Sequence, residues 1–312
     1  MSGDWRAEVR GRLADSVVTM DAPMARAVTL RVGGPAECLV ELESERDLEA
    51  VFEIIAEWRL PFHVLGKGSN VLVRDEGLRG LVLRLGPAFR SVRRLGDTAT
   101  VEAGAGISNG AFVDQCRKWQ LGGMEFLVAV PGSIGGAIAM NAGAHDGETA
   151  AFLRTVRVFF PETGISDREA AEFQFGYRDS PLRGNRGRMV LRGAFTLQRL
   201  DEKEIRSRQN RILQWRKEHQ PMDFPNCGSV FKNPQGDFAA RLIDQAGLKG
   251  HTRGGAQISE KHANFIVNRG GATAADVLAL VDFIQETVYS RTGVVLELEM
   301  QVFPLEDLSP GG

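Results

Sequence analysis

A mixed α and β fold in two or three domains is what the sequence predicts, on three observations. Short apolar runs of strand length alternate with segments whose apolar residues recur every three or four positions, as on one face of a helix. A chain of 312 residues, 43% hydrophobic and 25% charged, can bury more than one core of ordinary domain size. Glycines also crowd one internal stretch. Ten of the 36 fall between Gly104 and Gly147, where the backbone repeatedly needs a positive φ or a close approach to something.

The elements follow in order. The opening MSGDWRAEVRGRLADSV has no apolar core of signal-peptide length; Trp5, Val9 and Leu13 recur every four residues and predict an amphipathic helix. CLVELE (38–43) predicts a strand. Ser44 and Asp47 predict a capping-box-like helix start, and Leu48, Val51, Phe52 and Ile55 form one apolar stripe reaching Leu60. The strands FHVL, VLVRD and LVLRL then complete a small α/β layer. FRSVRRLGDTATVEAG holds two period-two runs around a Gly-Asp turn, the pattern of a hairpin, and ISNGAFVDQCRKWQ predicts a helix. Strands return at TVRVFF and MVLRGAFTLQ, separated by PETG and FGYRDSPLRGNRG. A long polar helix from Asp201 to His219, ending before Gln220-Pro221, bridges into a last domain. There the pattern predicts a helix at 237–246, a strand at ANFIVN, a Thr273-capped helix with Asp276 at its third position, and a final strand VVLELEMQVF. A disordered LSPGG tail is expected.

Charge and cysteine usage exclude several functions. With 38 basic and 40 acidic side chains spread along the chain and a formal charge of −2, nothing draws it generally to nucleic acid or an acidic membrane surface, so any anion site is local. No segment approaches the roughly 20 apolar residues of a membrane helix. Cys38, Cys116 and Cys227 are odd in number, far apart and without CxxC spacing, which points to a reduced, cytoplasmic protein with no structural metal.

Two glycine patterns invite misreading. GAGISNG (104–110) follows a strand and opens a helix like a dinucleotide fingerprint, but it has one residue too many before its last glycine and leads into a further glycine-rich loop rather than a βα repeat. LGKGSN (65–70) fails the P-loop spacing, because Pro61 stands where the first glycine should. Each stretch still suits an anion. Gly66, Lys67, Gly68, Ser69 and Asn70 follow a strand, and Gly132, Ser133, Gly135 and Gly136 repeat the design about 65 residues on. Small residues in such turns can aim successive backbone N–H groups at one phosphate, and two loops together suit a diphosphate. The plainer alternative is two ordinary tight turns. NCGSVFKNP (226–234) poses a similar choice, for Ser229 is either a turn serine or a proton donor.

RVGGPAE, LGKGSNVLV, MEFLVAVPGSIGGAIAMNAGA, FGYRDS, NCGSVFKNP, LIDQAGLKG, AQISEKHANFIVN and GVVLELE occur in the order seen in the UDP-N-acetylenolpyruvoylglucosamine reductases, the MurB flavoenzymes of peptidoglycan synthesis. The chain resembles that family from about Thr29 to Phe303. The resemblance implies an α+β fold: a two-subdomain FAD-binding module of the vanillyl-alcohol oxidase type (1–88 and 89–200) plus a C-terminal α+β substrate-binding domain (201–312). It implies non-covalent FAD held by Gly66 to Asn70 and by Gly132, Ser133, Gly135, Gly136 and Ala137, with Asn141 and Gly143 continuing the second loop. NADPH is the implied co-substrate. The catalytic positions it matches are Arg178, Ser229 and Glu299. Period-two alternation puts Glu297 on the same strand face as Glu299, so the choice of Glu299 comes from the resemblance alone.

In the implied chemistry hydride reaches the methylene carbon of an enolpyruvyl ether. Arg178 holds the substrate carboxylate and stabilises charge spreading into it, Ser229 protonates the neighbouring carbon, and Glu299 supports. Tyr177, Lys217, Lys232, Asn233, Gln257, Ser259 and His262 are the substrate-binding positions it suggests, with Lys217 or Lys232 meeting the UDP phosphates. The chain departs from the family pattern at Ala129, in GAHDGE and in EMQVF. With Tyr177 and Tyr289 its only tyrosines, it resembles the shorter, lidless branch. The expected protein is a monomeric, cytoplasmic reductase of a UDP-sugar enolpyruvyl ether. A flavoprotein oxidase of the same fold, acting on a sugar or alcohol, and a nucleotide-sugar sensor are the alternatives.

Overall fold

The computed structural model describes residues 4–183 and 187–305, so the tail at 308–312 lies outside the described residues. The chain forms two compact units, one of Met1–Asp21, Glu37–Lys67 and Arg79–Arg216, the other of Ala22–Ala36, Gly68–Leu78 and Lys217–Gly312.

The first unit contains two separate apolar cores. One lies on a four-stranded sheet ordered Val17–Pro23, Pro35–Leu42, Leu78–Leu85, Phe62–Val64, the last pair being parallel. Helix Glu45–Trp58 buries Leu48, Val51, Phe52, Ile54 and Ile55 with Val40, Leu42, Leu81 and Leu83 of that sheet. The N-terminal helix Trp5–Arg12 adds Val9 and Leu13, as its four-residue spacing predicts. Ser44 caps the longer helix by accepting from Asp47 N at 3.1 Å, but the expected reciprocal arm is not made. The buried Asp47 carboxylate instead accepts from Asp15 N and Ser16 N at 3.0 and 2.9 Å, because it is needed to satisfy a loop that the local sequence pattern does not reveal.

The second core lies on a five-stranded antiparallel sheet ordered Gly164–Glu169, Leu153–Phe160, Met189–Thr196, Thr100–Gly104, Val92–Arg94. The predicted hairpin is its last pair. Helices Asn109–Lys118 and Ile134–Ala139 contribute Phe112, Val113, Ile134 and Ile138 to that core. The edge strand Gly164–Glu169 escapes a reading by alternation, since none of its residues is buried and three are exposed.

Among the described residues the second unit has one core, built where helix Ala274–Thr292 packs on the sheet Thr252–Arg253, Ala256–Ile258, Ile266–Asn268. The Thr273–Asp276 capping box forms with both arms, and the Asp75 carboxylate accepts from Ala274 N and Ala275 N at 2.8 and 3.0 Å. Hydrogen bonds at the helix start, that from Thr273 N foremost, lower the pKa of Asp276. The predicted final strand is much shorter than VVLELEMQVF. Only Gln301–Phe303 forms a ladder, parallel to Val71–Val73, while Leu298 makes a lone bridge to Phe231. Regular pairing stops because Glu299 N and Met300 N both donate to Val230 O, at 2.9 and 3.2 Å: two residues oppose one, as in a bulge. Among the described residues no helix is long and apolar enough to cross a membrane. Cys38, Cys116 and Cys227 are free and buried, and burial pushes the Cys38 thiol up to about 11 and the Cys227 thiol up to about 12.

Candidate active site

In the first unit the two glycine loops meet. A Cβ on Gly66 would lie 3.1 Å from Ser133 Oγ and one on Gly136 3.6 Å from the same atom, with nothing else within 4 Å of either. These glycines therefore flank the Ser133 hydroxyl, which is itself buried, Ser133 being 4% exposed. Gly135 differs, because its Cβ would lie 2.9 Å from Ala105 Cβ, so its smallness serves packing. The amides expected to point at an anion are partly spent at home. Ile134 N donates to Ile107 O at 3.0 Å, Gly135 N to Ala105 O at 2.9 Å and Gly136 N to Ser133 Oγ at 3.4 Å, which closes the turn from Gly132 into the helix of Ala137. This loop offers a ligand room beside Gly66 and Gly136 more than a row of amides. Beside it, partial burial first and the Arg90 charge second hold the Lys67 ammonium below its ordinary pKa.

Asn141 is almost fully buried, and its side chain is consumed by the fold. It donates to Gly176 O at 2.9 Å and Glu148 Oε2 at 3.1 Å and accepts from Ala150 N at 2.9 Å. It thereby fixes the base of a tight turn in which Gly176 and Asp179 exchange backbone hydrogen bonds and Tyr177 and Arg178 sit at the tip. Arg178 has φ +54°, a strained left-handed conformation for a residue that carries a Cβ, of the kind that concentrates at functional sites. Its guanidinium donates to Gly143 O and lies 5.0 Å from the Tyr177 ring centre, so the fork is aimed before any ligand arrives.

In the second unit the segments that carry Ser229 and Glu299 run side by side. Gly228 has φ +80°, which only glycine adopts freely, and a Cβ there would stand 3.9 Å from Ser69 O. Asn226 holds this turn, its Oδ1 accepting from Gly228 N at 3.1 Å. The partly buried Ser229 precedes Val230, whose carbonyl takes the Glu299 amide. Glu299 O in turn accepts from Asn70 Nδ2 at 2.9 Å, and Asn70 O from Gln301 N at 2.9 Å. Gly68, with φ +63°, is fastened by its carbonyl to Thr29 N at 3.0 Å. The bulge also separates the two glutamates. Glu299 is partly buried, whereas the Glu297 side chain is 74% exposed and pairs with Lys232 Nζ at 3.5 Å.

The other expected substrate positions divide. Asn233 Oδ1 accepts from Ala239 N at 3.1 Å, starting helix Ala239–Gln245, and Ser259 Oγ accepts from Lys261 N and His262 N at 3.1 and 3.3 Å. Both act locally. Gln257 Nε2 donates to Gly250 O at 3.2 Å. Lys217 O accepts from Lys261 Nζ at 2.5 Å. His262 has a buried Nδ1 without a hydrogen-bond partner and stands edge-on to Phe265 at 4.7 Å. Burial first, then the Lys249 charge, lowers its pKa. Sequence reasoning missed Asn264, a buried polar residue inside the apolar run ANFIVN. Such a residue must find partners, and that was the available signal.

A family model described as the C-terminal domain of UDP-N-acetylenolpyruvoylglucosamine reductase matches residues 220–303, and an FAD binding domain model matches residues 36–165. UDP-N-acetylenolpyruvoylglucosamine reductase 2 of Symbiobacterium thermophilum is 43% identical over 281 residues, 90% of each chain. The reductase of Geobacter metallireducens is 44% identical over 300 residues, 95% of this chain and 96% of the relative. The crystal structure of the reductase (MurB) from Thermus caldophilus matches with a TM-score of 0.79 at 38% identity, covering 93% of this chain and 99% of that one. With an α+β fold matched over nearly its whole length and identities well above 30%, the chain belongs to the UDP-N-acetylenolpyruvoylglucosamine reductase family.

Proposed function

We propose that this chain reduces UDP-N-acetylglucosamine enolpyruvate to UDP-N-acetylmuramate, a step of peptidoglycan precursor synthesis, using FAD and NADPH. Family membership favours this over an oxidase of the same fold. The observation that carries the reading is the backbone bond from Glu299 N to Val230 O at 2.9 Å, which puts the residue after Ser229 and Glu299 on adjacent segments.

The residues fit the cofactor at Gly66 and Gly136, where an added Cβ would meet only Ser133 Oγ within 4 Å, and these two with Ser133 and Lys67 would hold it. FAD when bound supplies the means to take hydride from NADPH and deliver it to the enolpyruvyl methylene carbon. Arg178 binds the substrate carboxylate with its preset fork, favouring the form in which negative charge has spread into that group. Ser229 Oγ gives its proton to the adjacent carbon, which is basic enough at that moment to take one from a hydroxyl. Glu299 supports the proton transfer from the neighbouring segment. Lys217 or Lys232 serves the substrate phosphates, with Tyr177, Gln257 and His262 contributing to binding. The protein acts as a cytoplasmic monomer of three subdomains; the described residues form three apolar clusters, though Leu30, Val32 and Leu72 pack in the C-terminal one and Phe159, Met189 and Leu191 in the N-terminal one.

The absorption spectrum tests this directly. Purified protein should be yellow, bleach with NADPH and regain its colour on addition of the enolpyruvyl substrate under nitrogen. Colour that returns only with oxygen overturns the reductase reading.

Two neighbouring glycines separate cofactor space from packing. Gly136→Ala adds a Cβ in ordinary contact at a helical position, so the apoprotein should melt no lower than wild type, with a gain of up to about 1 kcal/mol, while FAD binding weakens. Gly135→Ala forces its Cβ against Ala105 and should cost about 1–3 kcal/mol of stability. Apoprotein melting and FAD fluorescence titration check both. Wild-type FAD affinity in Gly136→Ala would remove that glycine from the cofactor site.

A further inference from the structure

The two residues proposed for proton delivery do not hold themselves in place. Ser229 lies on an irregular segment, and the bulge at Glu299 leaves its partner segment with few ladder hydrogen bonds. Asn264 supplies what the ladder does not. It is 4% exposed, and every polar atom it turns toward this segment is engaged: Oδ1 accepts from Phe231 N at 2.9 Å, Nδ2 donates to Phe231 O at 2.8 Å, and its backbone carbonyl accepts from Val230 N at 2.9 Å. Asn264 thus grips both peptide groups that follow Ser229, from the side opposite the Val230 carbonyl to which Glu299 and Met300 attach. Below them Cys227 Sγ meets Met300 Sδ at 3.3 Å in the buried core, tying the same two segments together.

We infer that Asn264 is a positioning residue for Ser229: its paired amide sets the register of the 229–231 segment so that the hydroxyl is correctly placed when the substrate carbon needs a proton. This rests on the reductase reading. An amide is suited to the task because it offers one acceptor and one donor in a plane, matching the N–H and C=O of a single residue. Removing it also orphans two buried backbone groups, which then move to find partners. Misplacing a reacting group by about 1 Å costs on the order of 100-fold in rate, so the effect falls on the chemical step without any contact to substrate.

The test uses FAD-loaded full-length protein, with Asn264→Ala, Ser229→Ala, the double variant and the near-isosteric Asn264→Asp, which keeps the acceptor and loses the donor. Asn264→Ala should bleach with NADPH within about twofold of wild type but regain colour with substrate about 10- to 100-fold more slowly, with a larger slowing in D2O than wild type shows. Asn264→Asp should fall between. The double variant should match Ser229→Ala, because a positioning residue has nothing left to position. Amide hydrogen exchange, which needs no turnover, should rise locally at Val230 and Phe231 in Asn264→Ala. Equal slowing of both half-reactions, or additive losses in the double variant, overturns the inference while leaving the reductase reading intact. A wild-type chain that bleaches with NADPH and never recovers colour with substrate overturns both.

Discussion

Ser229→Ala should bleach with NADPH at the wild-type rate and then recover its colour with the enolpyruvyl substrate about 100- to 10,000-fold more slowly, the range a positioned general acid contributes. The substitution removes one oxygen from a partly buried position whose surrounding hydrogen bonds are all made by other residues: Asn226 to Gly228, Asn264 to Val230 and Phe231, Val230 to Glu299. The segment has no reason to move, so a loss confined to the second half-reaction reports on the hydroxyl itself. Stopped-flow absorbance under nitrogen measures both halves. A variant that recovers colour at the wild-type rate removes Ser229 from proton delivery and with it the reason for pairing it to Glu299.

Arg178→Gly should separate activity from stability in the opposite corner of the chemistry. In the folded chain Arg178 occupies φ +54°, a conformation that costs a side-chain-bearing residue about 1–2 kcal/mol and glycine almost nothing. Against that relief stand the lost hydrogen bond to Gly143 O, worth about 1 kcal/mol, and the contact with Tyr177. The two nearly cancel, and the melting temperature should stay within a few degrees of wild type, while recovery of colour with substrate falls at least about 100-fold for loss of the group that stabilises developing charge. Arg178→Lys keeps the charge without the planar fork and should recover only a minor part of the rate. A variant that melts as wild type and retains full activity would show that the strain at this turn serves something other than catalysis. One that melts far lower would show that the fork is structural.

The long periodic elements were legible without a structure, and so were the punctuators. The stripe from Leu48 to Ile55, the four-residue spacing of Trp5, Val9 and Leu13, and the Thr273–Asp276 box all appear as read, because each is decided within a few residues by side-chain period and local capping. Asp47 shows the limit of that logic. It stands where a capping box would use it, yet its carboxylate is claimed by Asp15 and Ser16, some thirty residues away in sequence. The same holds for the last strand. VVLELE alternates cleanly, but the doubled donation into Val230 O breaks the alternation and gives Glu297 and Glu299 different surroundings.

Which residue types the site would need, and in which motifs, came from the chain alone, through the glycine loops, the lone hydroxyl of NCGSVF, the fork of GYRDS and the family pattern they compose. What only the tertiary structure decided is how those groups are held. Gly66 and Gly136 turn out to flank one hydroxyl while Gly135 serves packing. Asn141, read as part of the cofactor loop, spends its amide fastening the Arg178 turn, and Asn264, given no role although it lies within AQISEKHANFIVN, fastens the segment after Ser229. The physical reason is common to all five. Space beside a glycine and partners for a buried amide are properties of whatever the fold brings alongside, and sequence spacing records only what a residue's own neighbours along the chain can supply.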